Sequence, residues 1–141
     1  MNVKIKLVHP LAKMPHRAHP TDSGADLYAV ESMTLEPGAR GLVRIGLALE
    51  LPPGFEAQMR PRSSLSRTGF NVALGTIDQA YRGELVAIAH NANTLLPWII
   101  VPGDRIAQLV IQPVIYPGFV VVDRDLVETD RGCGGFGSTG R

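Results

Sequence analysis

Residues 36–61 read EPGARGLVRIGLALELPPGFEAQMRP, and this stretch decides the fold class. Glu36 to Gly38 and Pro52 to Gly54 are turn sequences, because proline presets φ for a turn and glycine accepts a positive φ. Between them, Leu42 to Leu51 alternates loosely between apolar and other side chains, which favours a half-buried strand. Phe55 to Met59 then reads as the return strand. The stretch therefore predicts a strand, a turn and a second strand.

The rest of the chain repeats this pattern of short strands between turns. Its 141 residues include 15 glycines and 11 prolines, and in a helix interior these residues cost about 1 and about 3 kcal/mol each. Only Arg62 to Arg67 lacks alternation, which allows a turn or two of helix. We expect an all-β, single-domain sandwich or barrel. The further strands are predicted at residues 3–7, 84–90, 98–101, 106–114 and 119–122.

Composition and charge exclude several classes of protein. The 14 basic and 13 acidic residues leave a net charge of +1, which argues against nucleic-acid and polybasic membrane partners. The single cysteine, Cys133, excludes a disulfide framework and a multi-cysteine zinc site. The longest apolar stretch, 95–101, is far shorter than the roughly 20 residues that span a bilayer, and the alternating N-terminus is unlike a signal peptide. We expect a cytoplasmic protein.

Two polar segments in the first half of the chain could bind an anion or a metal. Asp22 to Leu27 places two carboxylates beside a glycine, which suits a water-mediated Mg²⁺ site, or alternatively an Asx-turn before a strand. Arg60 to Arg67 carries three arginines and three serines. Such a set can cradle an oxyanion, or it can be a polar loop with an N-capping serine.

Two further segments could complete such a site. In Gly75 to Gly83, glycines bracket a predicted tight hairpin that holds Asp78 and Tyr81. Asp78 could act as the general base for a water, or it could serve the turn while Tyr81 caps a pocket. The tail, 131–141, has five glycines among eleven residues. It could close over a phosphorylated ligand with an aromatic ring stacked on a base, or it could be a disordered terminus.

These four segments and a fifth, Gly103 to Leu109, occur in an order that resembles the trimeric deoxyuridine triphosphatase (dUTPase) family over 22–140. The resemblance implies a jelly-roll β-barrel over 1–130 and a flexible glycine-rich arm over 131–141. It also implies a homotrimer with active sites at the subunit interfaces. The implied reaction is the Mg²⁺-assisted hydrolysis of dUTP to dUMP and pyrophosphate, which keeps uracil out of DNA and supplies dUMP for thymidylate synthesis.

The resemblance also implies a role for individual residues. Asp78 would activate the attacking water, Asp26 would hold Mg²⁺ through water, and Tyr81 would pack under the deoxyribose and leave no room for a 2′-hydroxyl. Phe136 would cover uracil, whose edge would be read by the Gly69 to Tyr81 hairpin. The phosphate contacts implied are Arg62, Ser63, Gln108, Arg131, Ser138 and Thr139. The other predicted substrate-binding residues are Ser64, Asn71, Gly75, Ile77 and Gly137, with Ser64 standing where the family usually has glycine.

Two other functions fit the same fold less well. A dCTP deaminase shares the fold, but it usually has a glutamate as its base and lacks a tail of this kind. A non-catalytic nucleotide sensor would be expected to lose Asp78 or Arg131, and both are present. The sequence therefore favours the pyrophosphatase.

Overall fold

The computed structural model describes residues 1–135, and these form short β-strands and one short helix. The helix α1 has a single turn, as the sequence allowed. The elements in chain order are β1 (Lys4–Leu7), β2 (Ala25–Tyr28), β3 (Met33–Leu35), β4 (Arg40–Arg44), β5 (Leu47–Glu50), β6 (Phe55–Arg60), α1 (Ser63–Ser66), β7 (Phe70–Val72), β8 (Gly75–Ile77), β9 (Val86–Asn91), β10 (Trp98–Ile100) and β11 (Arg105–Pro113). The expectation of an all-β single domain is confirmed.

The strands form four antiparallel sheets that pack around one core. The largest has the order β2-β11-β6-β8, the second has the order β4-β9-β7, and the pairs β1-β5 and β3-β10 complete the set. Within residues 1–135 no continuous hydrogen-bond ladder closes these sheets into a barrel. The arrangement is that of a jelly roll, in which separate sheets enclose the core.

Period-two alternation explains which side chains fill the core. In β6, Ala57 and Met59 are buried, and in β9 Ala87 and Ala89 are buried, while their neighbours face outward. The one buried polar side chain of the described residues, Asn91, is fully satisfied: its amide nitrogen donates to the Leu35 and Leu96 carbonyls at 2.8 and 2.9 Å. The largest fully buried apolar side chains are Leu27, Ile45, Leu47, Leu85, Ile100 and Ile106.

The predicted hairpin around Pro52 to Gly54 is wrong. β6 pairs with β11 and β8, whereas β5 pairs with β1 and β4 pairs with β9. The long strand predicted at 42–51 is broken by Gly46, whose φ is +73°. A side chain there would lie 2.8 Å from the His9 Cβ. This glycine therefore lets the chain pass from one sheet to the next.

Two more local predictions are wrong, because the pairing of a strand depends on where its partners lie in the fold. Gly69 to Tyr81 is not a hairpin, since β7 and β8 belong to different sheets. Residues 119–122 form no strand, and the side chains of Phe119 and Val121 are 95% and 97% exposed. Extended backbone is stable only when its N–H and C=O groups are satisfied. The apolar pattern of 119–122 therefore does not suffice to make a strand in one chain.

Within residues 1–135, no helix reaches the length and apolarity required to cross a membrane.

Candidate active site

One polar cluster lies where β2, β11 and the start of α1 meet. The pairing register places Asp26 opposite Gln108, and Gln108 opposite Arg60, so the three side chains share one face of the sheet. The carboxylate of Asp26 is paired with two cations: Oδ1 lies 2.9 Å from Arg62 Nε and Oδ2 lies 3.2 Å from Arg105 Nη1. Its side chain is 14% exposed. The carboxylate thus holds both guanidinium groups at the mouth of a cleft.

Backbone contacts position this cluster. Gln108 Nε2 donates to the Pro61 carbonyl at 2.8 Å, which holds the chain as it leaves β6 for α1. Gly24 makes room for Gln108, because a Cβ at Gly24 would overlap the amide oxygen and lie 2.9 Å from Cδ. The N-cap of α1 is Arg62, whose side chain makes no capping hydrogen bond among residues 1–135. The interpretation of a serine as N-cap is therefore wrong, and Ser63 and Ser64 instead lie exposed in the first turn.

The cleft beside this cluster has a volume of about 220 Å³ and combines cations, carboxylates and hydroxyls. Its lining includes Asp22, Asp26, Arg62, Ser63, Ser64, Arg105 and Gln108. We call it the phosphate cleft, because two guanidinium groups, two hydroxyls and an amide suit a bound polyanion. Residues 1–135 contain no group of three or more His, Cys, Asp or Glu side chains that could hold a metal by themselves. A metal here would need oxygen ligands from the bound anion or from water.

A second cleft, of about 280 Å³, lies between β8, β9 and the turn that follows β8. Its apolar wall includes Met59, Leu85, Val86 and Ile88, and its polar groups come from Gly75, Thr76, Ile77, Asp78, Tyr81 and Glu84. We call it the nucleoside cleft, after the ligand that the family resemblance implies for Tyr81 and the residues before it. An apolar wall with a few polar groups is typical of a site for a small-molecule ligand.

The turn that carries Asp78 and Tyr81 is held by hydrogen bonds of its own backbone and side chains. The Tyr81 N–H donates to the Asp78 carbonyl at 3.0 Å. Arg82 Nη1 donates to the carbonyls of Gln79 and Tyr81 at 2.7 and 2.9 Å. The Tyr81 hydroxyl donates to the Glu84 carbonyl at 3.0 Å. The carboxylate of Asp78 is exposed, so a ligand in the cleft can reach it.

Charged groups behind the turn reinforce it. Arg44 donates to Glu84 through Nε and Nη2, at 3.0 and 2.8 Å to Oε2, and to Glu31 through Nη1 at 2.7 Å. The hydrogen bond to Glu84, followed by that to Glu31, raises the pKa of the Arg44 guanidinium. The sequence analysis missed Arg44, Glu84 and Arg105. Of these three residues, only Arg105 could have been found, because it lies within the segment Gly103 to Leu109.

The two clefts are separated within one chain. Asp26 lies on edge strand β2 and Asp78 follows the opposite edge strand, β8. Three strand spacings of roughly 4.8 Å put these edges roughly 14 Å apart. Through Gln108, Asp26 is level with Arg60 on β6, whereas Ile77 pairs with Ala57, three residues away on the same strand. The two carboxylates are therefore also displaced by roughly 10 Å along the strands. One chain therefore does not bring Asp78 to the phosphate cleft.

Other predicted site residues lie in neither cleft. Asn71, on β7, is half-buried opposite His90 and lines a third cleft with Arg40. Arg131 is exposed, and its Nε donates to the Gly134 carbonyl at 3.0 Å. Four predicted contacts lie outside the described residues: Phe136, Gly137, Ser138 and Thr139.

Comparison with known proteins gives a consistent result. The family model described as dUTPase matches residues 11–140. The deoxyuridine 5′-triphosphate nucleotidohydrolase of Thermobifida fusca is 47% identical over 143 residues, covering 99% of this chain and 79% of that protein. A structure of the Staphylococcus bacteriophage 80alpha dUTPase with dUPNHPP superposes with a TM-score of 0.94 at 29% identity, over 99% of each chain.

A second solved structure bears on metal binding. It is a mutant dUTPase from phage phi11 of S. aureus, described as revealing the coordination of a structural Mg(II) ion. It superposes with a TM-score of 0.82 at 25% identity, over 88% of this chain and 98% of that one.

Proposed function

Because the chain belongs to the dUTPase family, we propose that it hydrolyses dUTP to dUMP and pyrophosphate at sites shared between copies of the chain. One observation carries the proposal: a single chain holds both a phosphate cleft and a nucleoside cleft, and these lie at opposite edges of one sheet. A nucleoside triphosphate needs both at once. Assembly of identical chains can join the phosphate cleft of one to the nucleoside cleft of another.

The nucleoside cleft suits a pyrimidine deoxynucleoside. β8 pairs with β6 through one side only, and its other side has no strand partner among residues 1–135. Backbone N–H and C=O groups of Gly75 to Ile77 on that open edge can pair with the polar edge of uracil. Tyr81 lines the same cleft and forms the surface on which the sugar packs. Asn71 lines the third cleft, which shares Ala73 and Ile88 with the nucleoside cleft, and its contact with the substrate stays a prediction.

The phosphate cleft suits a triphosphate with Mg²⁺. Its lining includes Arg62, Ser63, Ser64 and Gln108, which would contact the phosphate oxygens. The donor set fits Mg²⁺, since this ion keeps several waters and is usually held by one or two carboxylates together with substrate phosphates. Asp26, acting through water, is the carboxylate that would hold it, with Asp22 also in the cleft. When bound, the ion would neutralise the charge of the leaving pyrophosphate.

The reaction needs one base and no covalent intermediate. Asp78 accepts a proton from a water molecule while the oxygen of that water bonds to the α-phosphorus. The bond from the α-phosphorus to the bridging oxygen then breaks and releases pyrophosphate. Arg62 and Gln108 hold the triphosphate so that this bond lies in line with the attacking water. Positioning and charge stabilisation supply most of the catalysis in phosphoryl transfer. The exposed carboxylate of Asp78 is free to take this role.

We further propose that the chain forms a homotrimer and that residues 131–141 act as an arm of the active site. The exposed apolar residues after β11 support contact with another chain: Ile115, Tyr116, Phe119, Val120, Val121, Leu126 and Val127. Leaving so large an apolar surface in water is unfavourable. The arm would bring Arg131 to the γ-phosphate, Phe136 over uracil, and Gly137, Ser138 and Thr139 to the phosphates. Such a nucleotide-consuming enzyme would act in the cytoplasm.

The test is pyrophosphate release from dUTP, dCTP, dTTP and UTP, each with Mg²⁺ and with EDTA. We expect release from dUTP alone and its loss with EDTA. Release of ammonia from dCTP would instead indicate a deaminase. Binding of dUTP without any release would indicate a sensor, and either result would overturn the proposal.

A further inference from the structure

The Tyr81 ring lies directly over the backbone of Gly83. A Cβ added to Gly83 would overlap the Tyr81 hydroxyl and lie 2.5 Å from Cζ and 2.9 Å from Cε2. Gly83 is not among the glycines with positive φ, so its backbone would accept an alanine. The absence of a side chain at Gly83 is therefore required by the ring and not by the turn.

The ring is also held at its far end. The Tyr81 hydroxyl donates to the Glu84 carbonyl at 3.0 Å. The ring thus spans from its own Cα to the backbone three residues later. Tyr81 is 46% exposed, so packing against the core does not hold the ring. The contacts with Gly83 and Glu84 therefore hold the ring in place.

Glu84 is in turn anchored to the neighbouring sheet. Its carboxylate accepts from Arg44 Nη2 at 2.8 Å and from the Gly46 N–H at 2.9 Å. The next residue, Leu85, is 2% exposed and bonds to both sides of Gly46: its N–H donates to the Leu47 carbonyl at 2.7 Å, and its carbonyl accepts the Ile45 N–H at 3.1 Å. The acceptor for the Tyr81 hydroxyl therefore belongs to the rigid core and not to the exposed turn.

We propose that Gly83, Glu84 and Arg44 are positioning residues that seat the Tyr81 ring and thereby set the preference for deoxyribose over ribose. This inference rests on the proposed function. A 2′-hydroxyl group adds one heavy atom to the sugar. A protein surface excludes it only if that surface does not move aside by the width of one atom. A half-exposed ring on a turn would yield by rotating about its side-chain bonds, and the seat prevents this rotation.

The direct test is Gly83→Ala, with kcat/KM measured for dUTP and for UTP. The added methyl group displaces the ring, and the preference for dUTP over UTP should fall about tenfold, the lower end of what exclusion of one small group contributes. Ala80→Ser is the matched control, because it adds one heavy atom to an exposed position of the same turn and should leave the preference unchanged. An unchanged preference in active Gly83→Ala would overturn the inference.

A second pair of variants tests the anchor and covers the case in which Gly83→Ala does not fold. Glu84→Gln weakens the bidentate contact with Arg44 and should also lower the preference. Glu31→Gln removes a carboxylate from the same arginine without touching the seat, and it should leave the preference at the wild-type value. Equal preferences in both variants would contradict the role of Glu84 and Arg44.

Ring position can be followed without turnover. With ¹³C-labelled tyrosine, the Tyr81 ring resonances, assigned by comparison with Tyr81→Phe, should shift in Gly83→Ala and not in Ala80→Ser. Unshifted resonances would contradict the claim that Gly83 positions the Tyr81 ring. A wild-type protein that does not hydrolyse dUTP would overturn the proposed function separately, since the ring measurement does not depend on it.

Discussion

Asp26 lies on one edge strand of the four-stranded sheet, and Asp78 directly follows the other edge strand, displaced toward the opposite end of β6. The two carboxylates therefore serve different clefts of the same chain. If both act on one substrate, they must come from two copies. This geometry makes the subunit origin of each residue open to experiment.

Mixed assemblies should recover activity that neither parent has. Asp78→Asn removes the proposed base and Arg62→Met removes a proposed phosphate contact, so each variant alone should be nearly inactive. Assemblies refolded from an equal mixture should reach about one quarter of the wild-type rate, because each shared site draws its two clefts independently from symmetry-related copies. The measurement is pyrophosphate release from dUTP.

The control for this experiment is a mixture of two differently tagged Asp78→Asn chains, which should stay inactive. If Asp78 and Arg62 of one chain served the same site, the Asp78→Asn and Arg62→Met mixture would show no gain either. That outcome would contradict the proposed sharing of sites.

Replacing Asp78 alone should separate catalysis from binding. Asp78→Asn keeps the shape of the side chain but cannot accept the proton, so kcat should fall by about 10²–10⁴, the usual contribution of a general base. The dissociation constant for dUTP, measured by calorimetry, should change little, because the carboxylate of Asp78 is exposed and asparagine keeps its shape. A near-normal kcat would rule out this role for Asp78.

Replacing Asp26 should affect both stability and metal dependence. Asp26→Asn leaves Arg62 and Arg105 without their carboxylate, and loss of these charge-assisted contacts should lower the free energy of unfolding by about 1–3 kcal/mol. The Mg²⁺ concentration for half-maximal activity should also rise. Asp125→Asn, which changes an exposed carboxylate outside both clefts, is the control for unfolding in urea and for the Mg²⁺ titration. Equal Mg²⁺ curves for the two variants would mean that Asp26 does not hold the ion.

Removing residues 131–141 should leave the fold and impair the reaction. The core consists of strands that end at Pro113, and residues 131–133 are exposed, so the melting temperature should stay within a few degrees. Turnover should fall about tenfold or more, since the proposed closure of the site and the proposed γ-phosphate contact would be lost. Circular dichroism and pyrophosphate release check the two parts. A truncated chain that does not fold would show that the arm is structural.

Local patterns predicted the elements better than their pairing. The turn at Pro52 to Gly54 was found, but the strand after it pairs with β11, a partner about fifty residues away. Gly46 was not recognised as the break between β4 and β5, because both its positive φ and the close approach of His9 are set by the tertiary fold. Pairing and close approach are long-range properties, and alternation carries no information about them.

The site shows the same division. Motif order identified Asp26, Arg62, Asp78 and Gln108, and the structure places each of them beside a cleft. The supporting residues were not found: Arg44 acts on Glu84 from forty residues away, and the need for glycine at Gly83 arises only when the Tyr81 ring folds back over it.

By itself, the sequence determined that the chain is all-β, which family it belongs to and which residue types the site can use, because turn chemistry, alternation and motif order are local. Only the tertiary structure decided that Asp26 and Asp78 face different clefts. The side-chain period along a strand determines which face of the sheet a residue occupies. Hydrogen bonding between strands that are distant in sequence determines how far apart two residues lie across the sheet.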